Sequence, residues 1–124
     1  RIVAYGQAAL DPKWIFYAPV KAIPVALQKA GWSIDDVDLF EVNEAFASQV
    51  LADMRGLERD GYAVPLEKVN VHGGAIALGH PLGSSGSRVL VTLIHALQDR
   101  GLKRGLAALC LGGGEAVAMA VELE

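Results

Sequence analysis

Leu106-Ala107-Ala108-Leu109-Cys110-Leu111-Gly112-Gly113-Gly114-Glu115-Ala116-Val117-Ala118-Met119-Ala120-Val121 holds two apolar runs separated by three glycines and a glutamate. Apolar runs bounded by turn residues read as strands, and a Gly-rich connection of this length joins them antiparallel. Both runs are apolar at nearly every position rather than at alternate ones, the pattern of strands buried on both faces. Such a sheet needs helices above and below it, and the rest of the chain supplies them. Ile2 to Ala9 reads as another strand, and Pro19 to Ala30 as a helix stopped by Gly31. Val20, Ile23, Leu27 and Ala30 share one face of that helix, opposite Lys21, Gln28 and Lys29. Asp38 to Val42 reads as a short strand, with Asn43 placed to cap a helix through about Met54. Gly56 to Pro65 is polar and reads as a loop. Ser84 or Ser85 starts a helix running to Arg100 and ended by Gly101. The expected class is α/β, a mixed sheet with helices on both faces.

The last helix carries Val89, Leu90, Val91, Leu93, Ile94, Ala96 and Leu97, which leaves almost no polar face. A helix apolar all round belongs inside a larger protein, so a further layer from another domain or subunit is expected. The chain has 124 residues, enough for one domain with a core, and its net charge of -3 argues against nucleic acid or an acidic membrane surface as partner. No apolar run has the roughly 18 residues needed to span a bilayer. One cysteine forms no internal disulfide, which suits a reducing compartment, cytoplasmic by expectation, with the mitochondrial matrix or a peroxisome as alternatives.

Three stretches stand out chemically. Cys110 places a thiol where a strand breaks into bare backbone, although a single buried cysteine is more often a small hydrophobe. His80, in Gly79-His80-Pro81-Leu82-Gly83-Ser84-Ser85-Gly86, sits between glycines at the entry to the last helix. Free N–H groups favour negative charge there, and an imidazole can move a proton or donate to an oxyanion. Asn43, in Asn43-Glu44-Ala45-Phe46, is a helix cap or a polar group of a site. Trp14, Phe16 and Tyr17 read as core in preference to pocket wall, and Asp35, Asp36 and Asp38 as a solvated turn. His72, His80 and His95 lack metal-ligand spacing and the cysteine has no cysteine partner, so no metal is expected. Gly83-Ser84-Ser85-Gly86-Ser87 is neither a nucleophile elbow nor a phosphate loop.

Taken together, Asn43-Glu44-Ala45-Phe46, the stretch from Asn70-Val71-His72-Gly73-Gly74 through Gly79-His80-Pro81 to Gly86, and Cys110-Leu111-Gly112-Gly113-Gly114 resemble the thiolase family. The likeness runs nearly end to end and covers what would be the C-terminal half of a thiolase. It implies a domain spanning 1–124, half of a five-layered αβαβα architecture, that pairs with an N-terminal thiolase domain within a homo-oligomer, a dimer or tetramer. It also implies acyl transfer through coenzyme A, a substrate rather than a resident cofactor, by thiolysis of a 3-oxoacyl-CoA or condensation of two acyl-CoA units.

In that family a cysteine of the N-terminal half is acylated. By resemblance His80 activates it and, with a water held by Asn43, binds the thioester oxygen as it gains enolate charge. Cys110 is then the acid/base cysteine, and a thiol there suits proton shuttling if its site lowers its ordinary pKa. The Gly112 N–H contributes to a second oxyanion hole, Phe46 lies near the substrate, and Glu44 orders its loop. Since Cys110 matches the acid/base position and no second cysteine exists, the chain alone is expected not to turn over. The rival readings are a noncatalytic thiolase-like domain for assembly or CoA-ligand binding, and a separate subunit completed by a second polypeptide. Two departures from the family pattern, Ala18 before Pro19 in place of glycine and a longer connection over Arg55 to Pro65, touch none of these motifs.

Overall fold

The computed structural model describes residues 1–124. Four strands, β1 (Ile2–Ala9), β2 (Leu39–Val42), β3 (Arg104–Leu111) and β4 (Glu115–Glu122), form one sheet in the order β1-β4-β3-β2. β1 and β3 each pair with β4 antiparallel, while β2 runs parallel to β3, so the sheet is mixed. The turn between β3 and β4 is tight, and Gly113 and Gly114 both take positive φ in it. The parallel step from β2 to β3 is the long one. It contains α2 (Ala47–Arg59), the one-turn α3 (Ala75–Leu78) and α4 (Ser85–Arg100).

The helix α1 (Pro19–Ala30) lies across one face of the sheet and ends at Gly31 in the left-handed conformation, as its sequence predicts. Val20, Ala22, Ile23, Ala26 and Leu27 are buried against Ala116, Ala118, Leu106 and Ala108, joined by Val50, Met54 and Leu57 of α2. Fully burying an aliphatic side chain of this size is worth about 2 kcal/mol, so this face holds most of the apolar stabilisation. α4 packs on the other face over β2 and β3, with Val89, Leu93, Ala96 and Leu97 against Leu39, Ala107 and Val121.

Four expectations need correction. α2 begins after Phe46, not at Asn43, and runs to Arg59 with Gly56 inside it, so the polar 56–65 stretch is helical for its first turn. β3 and β4 are not buried on both faces: Ala116, Ala118 and Ala120 are sealed, but Val117, Met119 and Leu109 stay half-buried beside the exposed Tyr5. α4 does have a solvent side, carrying Ser87, Val91 and His95. The apolar excess of the strands lies toward β1 and β4, which α4 does not cover. The aspartates near residue 36 are not merely solvated. Asp38 accepts from the Lys103 and Arg104 N–H groups at 3.0 and 2.8 Å, and Asp36 closes a capping box with Ser33.

Candidate active site

The parallel pairing of β2 with β3 carries on one step past the strand, where the Asn43 N–H donates to the Ala108 carbonyl at 2.9 Å. That bond fixes the end of β2 beside the end of β3, two residues before Cys110. The Asn70 side chain then clips the loop: it accepts from the Val42 N–H at 2.8 Å and donates to the Val42 carbonyl at 2.9 Å and to Glu44 Oε1 at 3.0 Å. Asn70 is the single non-glycine residue with positive φ, 50°, a conformation asparagine tolerates better than most residues. The other Glu44 oxygen accepts from the Ile76 N–H at 2.9 Å. A side chain at Gly74 would run into that carboxylate, which explains the second of the paired glycines. Glu44 therefore ties the β2 loop to the turn that carries His80.

These connections converge on a cavity of about 280 Å³ lined by Ile15, Phe16, Asn43, Ala45, His80, Cys110 and Gly112, among others. A larger groove of about 820 Å³ runs between α1 and α2 past Trp14, Tyr17 and Leu51. It holds the cationic side chains of Lys21, Arg55 and Arg59 but neither the histidine nor the cysteine, so size does not mark the chemistry here. Asn43 is 5 % exposed, and its Oδ1 is buried without a partner inside the chain. It caps no helix. His80 is exposed at the cavity mouth, and its Nδ1 lies 2.6 Å from Ser85 Oγ. The Gly112 N–H, in the open turn, donates to no group of the chain. Phe46 does not line the cavity. Its ring meets that of Phe16 edge to face, centroids 5.3 Å apart, and Phe16 forms the wall. Trp14 and Phe16 are exposed rather than core.

Cys110 is half-buried, and burial pushes its thiol above the ordinary value, with the negative charge of Asp53 adding to the effect. The lowering that would suit a proton shuttle is not found in this chain, because burial and then the Asp53 charge act the other way. Asp53 itself drew no notice in the sequence. It is fully buried on α2, accepts from Gln49 Nε2 at 2.5 Å, and is pushed up to about 7 by desolvation. Gln49 in turn accepts from the Ala45 N–H at 3.0 Å, on the cavity wall. The signal available was an acid at i+4 from a glutamine on the apolar face of a helix, which has no fixed meaning without the fold. On the opposite sheet face, Glu41 is 1 % exposed and lies 3.3 Å from Arg88. Burial outweighs the attraction of that guanidinium and pushes Glu41 up to about 7.

Comparison with known proteins matches residues 1–123 to the family described as thiolase, C-terminal domain. The acetyl-CoA acetyltransferase of Syntrophomonas wolfei is 53% identical over 122 residues, which is 98% of this chain and 30% of that protein. The cytosolic acetyl-CoA acetyltransferase of Mus musculus is 55% identical over 124 residues, with the same coverage of each. The crystal structure of human mitochondrial 3-ketoacyl-CoA thiolase superimposes with a TM-score of 0.93 at 48% identity, over 100% of this chain and 30% of that one. The chain thus spans about 30% of the length of the relatives it matches.

Proposed function

The chain belongs to the thiolase family as its C-terminal domain, and on that premise we propose that it supplies the proton-handling side of an acyl-CoA acyltransferase site. The observation that carries this reading is the single cavity lined jointly by Asn43, His80, Cys110 and Gly112. Coenzyme A and acetyl-CoA enter as substrates. The partner is an N-terminal thiolase domain bearing the cysteine to be acylated, in a homo-oligomer. The proposed compartment is the cytosol, with the mitochondrial matrix or a peroxisome as alternatives; no helix is long and apolar enough to cross a membrane.

In thiolysis of a 3-oxoacyl-CoA, His80 takes the thiol proton of the partner cysteine, and the sulfur attacks the 3-keto carbonyl. The carbon-carbon bond breaks with its electron pair left on the acyl-CoA enolate. His80 and a water on Asn43 donate to the enolate oxygen, each worth about 3 kcal/mol in a preorganised site. Cys110 gives its proton to the α-carbon. Its raised pKa suits this step, since a thiol that keeps its proton at rest is poised as an acid. In the second half, the thiol of CoA passes its proton to Cys110 and attacks the acyl-cysteine, whose oxygen turns to the Gly112 N–H; the bond from the acyl carbon to the partner cysteine breaks, and that sulfur recovers its proton from His80. Splitting the reaction through a thioester predicts ping-pong kinetics. The test is thiolysis of acetoacetyl-CoA by the chain alone and joined to an N-terminal thiolase domain. We expect turnover only from the joined protein. Turnover by the isolated chain removes the need for a partner cysteine, and none from a folded joined protein removes the acyltransferase reading in favour of a binding or assembly domain.

A further inference from the structure

The hydroxyl of Ser85 is spent in an unexpected way. Ser85 is the first residue of α4 and only 5 % exposed, yet it does not cap the helix, and Ser84 at the capping position makes no side-chain bond there either. The Ser85 hydroxyl lies 2.6 Å from Nδ1 of His80, and its other contact is the Pro81 carbonyl at 3.4 Å. His80 lines the cavity and Ser85 does not, and the bond at Nδ1 leaves Nε2 as the ring nitrogen without a partner in the chain.

From this geometry we infer that Ser85 is a positioning residue for His80, whose hydroxyl accepts from Nδ1 while donating to the Pro81 carbonyl and so keeps Nε2 bare for the incoming proton. The inference rests on the acyltransferase reading for its consequence but not for its geometry. His80 is asked to accept a proton at Nε2 in one step and to donate an N–H from Nε2 in another. A backbone carbonyl or a carboxylate at Nδ1 only accepts, and would hold the ring with its proton on Nδ1 when neutral. A hydroxyl both accepts and donates. With Nδ1 protonated, the ring donates to Ser85 Oγ and the hydroxyl donates to the Pro81 carbonyl, so Nε2 is bare and acts as base. Once Nε2 has taken the cysteine proton, the imidazolium keeps this arrangement, still donating from Nδ1 to Ser85 Oγ, and its Nε2–H faces the oxyanion. No proton leaves Ser85 in any state. Burial keeps water from replacing it.

The experiment uses the joined protein with its histidine rings labelled with nitrogen-15, in the native form, Ser85→Ala and Ser85→Thr. The His80 signals are assigned by loss in His80→Asn. We expect the resting native ring to carry its proton mainly on Nδ1, Ser85→Ala to move it to Nε2, and Ser85→Thr to restore the native pattern. Acylation of the partner cysteine should fall about tenfold to a hundredfold in Ser85→Ala, the usual range for losing a group that orients an active imidazole, with recovery in Ser85→Thr. Slower acylation with an unchanged tautomer would mean Ser85 merely supports the helix, and would overturn the inference, as would native acylation in Ser85→Ala. If the native protein transfers no acyl group at all, the tautomer measurement alone decides.

Discussion

The two walls of the cavity are built on opposite terms. The wall at the end of β2 is cross-linked: Asn70 makes three side-chain hydrogen bonds, Glu44 accepts two, and Gln49 holds Ala45 from behind. The wall made by His80, Cys110 and the glycine turn has one strong side-chain bond, from Ser85, and otherwise leaves its polar groups free. A braced wall keeps its geometry whether or not anything else is present. An open wall reserves its donors and its thiol for groups that arrive from outside. Stability should therefore respond to substitutions on the first wall, and chemistry to those on the second.

The sharpest break of that contrast comes from the open wall. In the joined protein, His80→Ala should lower acylation of the partner cysteine by about a thousandfold, within the usual span for a removed general base. Cys110→Ala should leave acylation intact and stop proton transfer to carbon by a similar factor. Trapping the acyl-enzyme for mass spectrometry separates the two, and equal loss of acylation in both would undo the division of roles. Neither should shift the melting temperature appreciably. On the braced wall, Asn70→Ala should cost about 3 kcal/mol in urea unfolding, since it unpairs buried backbone groups of Val42 and puts alanine at positive φ.

Asp53 lies behind the braced wall and acts on the thiol of the open one. Its carboxyl goes from 3.8 in the unfolded chain to about 7 when folded. Between about pH 4 and 7 the folded chain keeps a proton that the unfolded chain has lost, so this group makes stability fall as pH rises through that window and level off above it. Asp53→Asn should be more stable than the native chain by about 2 kcal/mol at pH 8 and equal to it near pH 4. With the negative charge gone, Cys110 should also react faster with iodoacetamide at neutral pH. The smallest effect is expected at the mouth, where Phe46→Leu removes the edge-to-face contact with Phe16 and should cost about 1 kcal/mol.

The strands and helices were legible because their cues are local: Gly31 and Gly101 end helices in the left-handed conformation their positions require. Among the residues lining the cavity the sequence singles out Asn43, Glu44, His80, Cys110 and Gly112, the histidine and the cysteine by their glycine-rich surroundings, but not Phe16, Ala45, Ile15 or Leu111. Three kinds of feature were not legible. The start of α2 was misplaced because Asn43, a favoured cap residue, is held three residues too early by the continued pairing with Ala108. The direction of the Cys110 shift depends first on burial, which only the fold sets, and then on a carboxylate more than fifty positions away in sequence. Trp14 and Phe16 read as core but are exposed, because composition does not say which side of a 3-10 turn faces the solvent.

β1 is the first strand and pairs along its whole length with β4, the last, while Arg1 bonds to Glu122 across the seam. During synthesis, β1 must therefore wait with its inner edge unpaired until almost the entire domain has left the ribosome. The hairpin of β3 and β4 can close at once, but the sheet cannot be sealed before its final strand emerges. Closure of this sheet thus waits on the strand farthest from β1 in sequence, and a helper that shields β1 would act before β4 is available.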